Sequence, residues 1–474
     1  MNKYIAKHKD HVLYRWMTSS IYMPVLLALV LSLLIGFTVT SSDYHLAIPI
    51  ALLIPVGILI IKYPFSVLLI WLTVSPFFFH ADSTQGRYIY WLLHRAMIPA
   101  TLILITFTNW VRGKIFRPFS SYIPSLFIVG FLAYTTLNIL LLTDQVSQNF
   151  IHLYDYVLIP FCIFWLASLL RIGKREIKLL TIVSVFLLLS QTAISLISWN
   201  SPGLLPRAWQ TLAGARTVGT LDNPAVYTST IMFVSLVIFH TALSTQKPYL
   251  RSGLLILFGG SLFSILFSFS RDGWLGLTVV LIGLLFYKPK IIVKIIIITG
   301  IIALILGGLF FTEETTFAGN RLKNTHTVED RIIQFVGSLR MFLERPLFGW
   351  GYRNYDLFMK QFRTNVGNIA LQLQSTSHNT YLTILAELGL IGLILYMFPV
   401  VWYIFLSLKE WDLLSSNTLT GRRWLIALWL FMLFHFTVNN FIDMIRFHAF
   451  GNTMWWMGLG LIASTLHSTE KRTH

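Results

Sequence analysis

Apolar runs long enough to cross a lipid bilayer recur along this chain, and no other feature constrains its fold as strongly. A spanning helix needs about 17–25 residues. Runs near that length fall at 21–40, 45–61, 64–79, 91–109, 122–142, 154–170, 178–198, 224–243, 252–270, 273–287, 291–311, 380–408, 424–441 and 449–466. Backbone groups in lipid must bond internally, and barrel strands would alternate polar and apolar residues, which these runs do not. The expected fold is therefore all-α, a polytopic transmembrane helical bundle of about 12–14 spans. Tight connections at 62–63, 271–272 and 288–290 leave open that some pairs of runs are single broken helices.

Composition agrees. At 474 residues, 55% hydrophobic and 12% charged, with a mean hydropathy of +0.70, the chain is too apolar for a soluble protein of its length. The basic opening MNKYIAKHKDHVLYRWMTSS precedes a long first run with no small-x-small cleavage site, so an uncleaved span is expected there. Many of the fifteen Trp and nineteen Tyr stand near run ends, as interfacial aromatic belts do. The single cysteine, Cys162, lies inside an apolar run and excludes a disulfide framework or thiolate metal site.

The net charge of +17 would suit nucleic acid, but the basic residues sit in short loops between runs. With the N-terminus cytoplasmic, every inner segment carries at least one Lys or Arg, whereas the short outer segments hold only Arg87, Arg95, Arg271 and Arg446. That follows the positive-inside rule and excludes a nucleic-acid partner. Both termini are expected inside, with two longer outer loops at 199–223 and 312–379. Four regions result: an N-terminal bundle (1–198), a core carrying arginine motifs (199–311), the outer loop (312–379) and the C-terminal helices (380–474). Within the loop, Val328 to Glu344 has helical apolar spacing and ends before Pro346, which predicts a structured amphipathic helix at the bundle mouth or in the interface.

Three groups on the outer face carry chemistry. Arg216 and Asn223 stand in ARTVGTLDNP, whose turn residues lead into a span. Arg271 follows Ser268-Phe269-Ser270 at the end of another run, and His378 with Asn379 opens the run at 380. Each has a plainer use alone: a snorkelling or exposed arginine, or a residue at a helix start where either Ser377 or Asn379 could serve as the cap. Together, two fixed cations at a bilayer surface suit a lipid diphosphate, and an imidazole beside them suits removal of a hydroxyl proton. Glu387, two turns below His378, must be either a buried partner for a basic group or part of an acceptor site. His94, Arg95, His152, Asp155, Asn439, Asn440, Asp443, Arg446 and His448 are more simply interfacial. Arg321, Arg340, Arg353 and Arg363 are more simply solvated. No Asp-x-Asp or His-x-x-x-His pair stands in an outer loop, so no metal is expected.

At these residues the chain resembles the O-antigen ligase and polymerase superfamily of bacterial membrane glycosyltransferases. His378-Asn379, with Gly389 and Gly392 following, matches its H-N-x9-G-x-x-G signature. Arg345 to Tyr355, Ser270 to Gly273 and Arg216 to Pro224 resemble three further elements, and the likeness covers about residues 205–400. The resemblance implies a GT-C-like bundle with one large extracytoplasmic loop in a bacterial inner membrane. It also implies an inverting, metal-independent transferase without cofactors, active at the periplasmic face. His378 would be the general base, and Arg216 and Arg271 would hold the diphosphate of an undecaprenyl-diphosphate-linked glycan. Asn379, Glu387, Gly389, Gly392, Asn223 and Arg353 would support them.

The acceptor would be lipid A-core in a ligase, which is favoured by the single large loop ending at His378. A second lipid-linked repeat in a polymerase, or a protein side chain, stays open. A lipid-linked oligosaccharide flippase would instead show two similar halves and charges along a central cavity, and this chain shows neither.

Overall fold

The computed structural model describes residues 57, 60, 62–79, 84–111, 122–210, 217–221, 223–310, 326–362, 377–416, 418–439, 442 and 444–470. The run at 21–40 and nearly all of that at 45–61 lie outside the described residues, as do Arg216, Arg321, Arg363, Asn440 and Asp443.

Among the described residues every regular element is a helix. α1 (Phe65–Phe78) is followed by α2 (Thr84–Trp91), which passes through a π turn (Leu92–Met97) into α3 (Ile98–Val111). α4 (Tyr122–Leu142) leads to α5 (Val146–Leu153), and a second π turn (Tyr154–Leu158) joins that to α6 (Ile159–Leu169). Then come α7 (Lys174–Asn200), α8 (Pro224–Ser244), α9 (Pro248–Leu266), α10 (Arg271–Tyr287) and α11 (Pro289–Phe310). The 312–379 loop contributes α12 (His326–Glu344) and α13 (Tyr355–Phe362). The chain closes with α14 (Thr380–Lys409), α15 (Arg422–Asn439), the single turn α16 (Met444–Phe447) and α17 (Ala449–Glu470).

Seven described helical stretches are long and apolar enough to cross a membrane: Gly86–Val111, Tyr122–Leu142, Val146–Leu169, Lys174–Asn200, Pro224–Ser244, Pro248–Leu266 and Thr380–Lys409. The other expected spans include α11, which has 22 residues and is strongly apolar, and three helices that are shorter or open on charge. α1 has 14 residues and α10 has 17, while α15 opens on Arg422 and Arg423. Two of the three tight connections prove to be turns between separate helices, while nearly all of the run before 62–63 lies outside the described residues. α9 and α10 part at 267–270, α10 and α11 part at Lys288, and Gly259 of α9 packs on Thr299 of α11.

Side-chain pairs show how the helices run. α4 lies antiparallel to α14, with Phe127 on Phe398 and Phe131 on Tyr396. α8 runs antiparallel to α15, pairing Phe233 with Phe431 and His240 with Trp424. α6 and α17 run parallel: Phe161 meets Trp456, and Ser464 Oγ donates to the Leu170 carbonyl. Gly273 of α10 sits against Thr228 of α8, so these two helices start side by side. The N-termini of α8, α10, α14 and α17 therefore share one end of the bundle with the C-terminus of α15. Trp71, Trp424, Trp455 and Trp456 are fully buried, and packing rather than propensity stabilises such helices.

Candidate functional site

The N-terminus of α14 is built by three consecutive polar residues. Asn379 is its cap: the side-chain Oδ1 accepts from the backbone N–H of Tyr381 at 2.9 Å and of Leu382 at 3.1 Å. Those donors have no partner within the helix, so the cap satisfies them. Asn379 N–H donates to Ser377 Oγ at 3.1 Å, and Ser377 Oγ also meets Thr383 Oγ1. Between the two lies His378, half-buried and with φ at +49°. Such a conformation costs a non-glycine residue about 1–3 kcal/mol and persists only where surroundings impose it. Among the described residues the other two are Phe269 at +50° and Arg353 at +63°. All three lie within or next to the polar stretches at 270–273, 345–355 and 377–379.

Below His378, α14 is not the continuous helix expected. Gly389 adopts φ +66°, ψ −166°, which breaks the helical bond pattern. Into that break docks the stretch after Pro346. Leu390 N–H donates to Pro346 O at 2.8 Å, Trp350 N–H to Ala386 O at 3.0 Å, and Gly351 N–H to Glu387 O at 2.9 Å. A Cβ on Gly389 would overlap the Leu347 carbonyl, and one on Gly349, at φ +70°, would overlap that of Glu387. Glycine is required at both positions for the two backbones to touch. Gly389 thereby joins the 312–379 loop to the helix that carries His378.

Arg271 is the first residue of α10 and is half-buried, and Ser270 Oγ caps that helix by accepting from Gly273 N–H at 3.3 Å. The following Asp272 is buried and pairs with Arg331 of α12 at 3.1 Å, which ties the amphipathic helix to this turn. Asp272 precedes the run at 273–287. Burial raises its carboxyl above the ordinary range, and the Arg331 guanidinium opposes that rise.

Arg216 lies outside the described residues, but its neighbour Thr217 donates from Oγ1 to Phe267 O at 3.0 Å. The rest of that turn is fastened by Gln191, whose Oε1 accepts from Thr220 N–H at 2.9 Å. Asn223 caps α8, its Oδ1 accepting from Ala225 N–H at 2.8 Å, and its Nδ2 donates to His448 Nε2 at 3.2 Å. The structure therefore brings the turn after Arg216, the start of α10 and the start of α14 to one end of the bundle. Among the described residues, no three His, Cys, Asp or Glu side chains come together as a metal would need.

Residues 254–397 match the family described as O-antigen ligase. That stretch is a domain of the O-antigen ligase family. Among curated proteins none matches the chain significantly. The domain runs from α9 into α14 and holds Arg271, Arg353, His378, Asn379, Glu387, Gly389 and Gly392, while Arg216 and Asn223 precede it.

Several residues that contact the O-antigen ligase domain lie outside it and differ from expectation. Arg446, read as interfacial, is buried: Nη2 pairs with Asp356 at 2.6 Å and Nη1 with Glu387 at 3.4 Å. That settles Glu387 as the buried partner of a basic group. His152, also read as interfacial, is buried and reaches Arg446 O at 2.9 Å and the Tyr352 hydroxyl at 2.8 Å. His94, Asp155, Asn439 and His448 are buried too. Arg95 is half-buried and grips Asp155 with both arms, Nε to Oδ1 at 2.5 Å and Nη2 to Oδ2, across the two facing π turns. Arg353 reaches Asn149 Oδ1 at 3.4 Å, whereas Arg340 is exposed as expected. Gln191 and Tyr352 were missed as supports. A glutamine in the middle of the apolar run 178–198 was the available signal for the first, because an amide in lipid needs a partner.

Proposed function

We propose that this protein is an inverting glycosyltransferase of the O-antigen ligase and polymerase type, and that it moves a glycan from undecaprenyl diphosphate to an acceptor sugar at the periplasmic face. One observation carries the reading most: His378, held in a left-handed backbone conformation beside a capped helix start, shares a bundle end with Arg271 at the capped start of α10.

In this reading the acceptor hydroxyl loses its proton to His378 as its oxygen attacks the anomeric carbon of the donor sugar. The bond from that carbon to the diphosphate oxygen breaks, and undecaprenyl diphosphate leaves with the electron pair. Arg271 and Arg216 hold the diphosphate and stabilise the charge that grows on it, because guanidinium groups remain charged and bind phosphate oxygens in pairs. His378, next to the N-terminus of α14, acts in this reading as a neutral imidazole that accepts the proton. The loop containing α12 and α13 closes over the glycan, and the surrounding bilayer supplies the donor lipid.

The favoured acceptor is lipid A-core, which makes the protein an O-antigen ligase. Purified protein offered lipid-linked glycan with lipid A-core is expected to give glycosylated core. Longer lipid-linked chains formed without any core would make it a polymerase instead, and no transfer under either condition would contradict both.

A further inference from the structure

The break at Gly389 leaves residues 380–388 as a short helical piece, separated from the rest of α14 and bearing His378 at its head. Its orientation then depends on lateral contacts, and one segment after α15 grips it at both ends. Near the top, Met444 N–H donates to Thr380 Oγ1 at 3.0 Å, and Thr380 Oγ1 donates to Ile442 O at 3.4 Å. At the bottom, Arg446 Nη1 meets Glu387 Oε1 at 3.4 Å, and the same carboxylate oxygen accepts from Tyr355 N–H at 3.2 Å. The other arm of Arg446 takes Asp356 at 2.6 Å, on the first turn of α13.

We propose that Arg446 is a positioning residue: its guanidinium fork locks the His378-bearing piece of α14 to the Trp350–Asp356 stretch, so that the imidazole is held in register with the acceptor. The catalytic half of this proposal rests on the transferase reading above. Arg446 is only 6% exposed, and its planar fork serves carboxylates on two different elements. Lysine, with one point charge, cannot match that geometry. The backbone of the same residue is held from behind, since His152 Nε2 donates to Arg446 O at 2.9 Å while its Nδ1 accepts from the Tyr352 hydroxyl at 2.8 Å. Helices of the N-terminal half thereby brace a site that lies largely within the O-antigen ligase domain.

The test uses full-length protein in nanodiscs, comparing wild type, R446M, R446K and the charge-paired double variant E387Q/R446M. The double variant removes both buried charges together and so guards against misfolding from one orphaned ion. Hydrogen–deuterium exchange over 377–388 is expected to rise about tenfold in R446M and in the double variant, with α15 and α17 unchanged. Transfer by the double variant should show kcat lowered about 10- to 100-fold per folded molecule, with donor KM within about twofold of wild type and R446K intermediate. Unchanged exchange at 377–388, or a wild-type kcat in the double variant, overturns the proposal. Full transfer by H378A would instead overturn the transferase reading, and the exchange result would still decide whether Arg446 holds the helix.

Discussion

Gly389 lies with its backbone against the carbonyl of Leu347, and this contact joins the 312–379 loop to the helix that begins beside His378. Alanine at 389 would meet both an unfavourable φ of +66° and overlap with that carbonyl. G389A is expected to destabilise the protein by about 2–4 kcal/mol and to reduce transfer strongly. Thermal unfolding in detergent, read alongside activity, checks it. Wild-type stability would mean that the two backbones need not touch.

Asn379 acts through its cap, so the substituting side chain decides the outcome. N379A removes an acceptor for two backbone donors and should cost about 1 kcal/mol. N379D keeps an acceptor at the same place and should retain most of the stability and activity. If N379D proved as inactive as a His378 variant while remaining folded, Asn379 would be contacting substrate directly.

Arg271 is expected to matter in the chemical step. R271Q should lower kcat/KM for the lipid-diphosphate donor by about 10²–10³. R271K should recover part of that, because it keeps the charge and loses the paired geometry. Equal kinetics for R271Q and wild type would remove Arg271 from the donor site.

Sidedness can be read with little background, because the one cysteine, Cys162, is buried. Ser201 follows α7 at the end that carries His378, and Gln246 follows α8 at the opposite end. A membrane-impermeant maleimide that reaches the periplasm should label S201C in cells with an intact inner membrane and leave Q246C unlabelled until that membrane is permeabilised. The reverse pattern would place His378 on the cytoplasmic side.

Much of the bundle was legible because span length is a one-dimensional property. The amphipathic helix predicted from Val328 to Glu344 forms from His326 to Glu344; Asn379 was readable as one of two candidate caps, whereas Asn223, readable as a turn residue, proves to cap its helix. The break in α14 was not readable, since a glycine within an apolar run is equally compatible with an unbroken helix. The π turn at Leu92–Met97 has only Pro99 after it as a signal, and a proline there is equally compatible with a kinked ordinary helix. Glu387 clearly needed a partner. Which base would serve depended on Arg446, 59 residues on, and on a fold that brings it back.

The central claim is that His378 removes the acceptor proton. Its most direct test is transfer from lipid-linked glycan by purified H378A, with thermal midpoint and elution profile confirming that the variant is folded. The account predicts a loss of about 10²–10⁴ in kcat at little change in donor KM. A folded H378A that transfers glycan at the wild-type rate would contradict it.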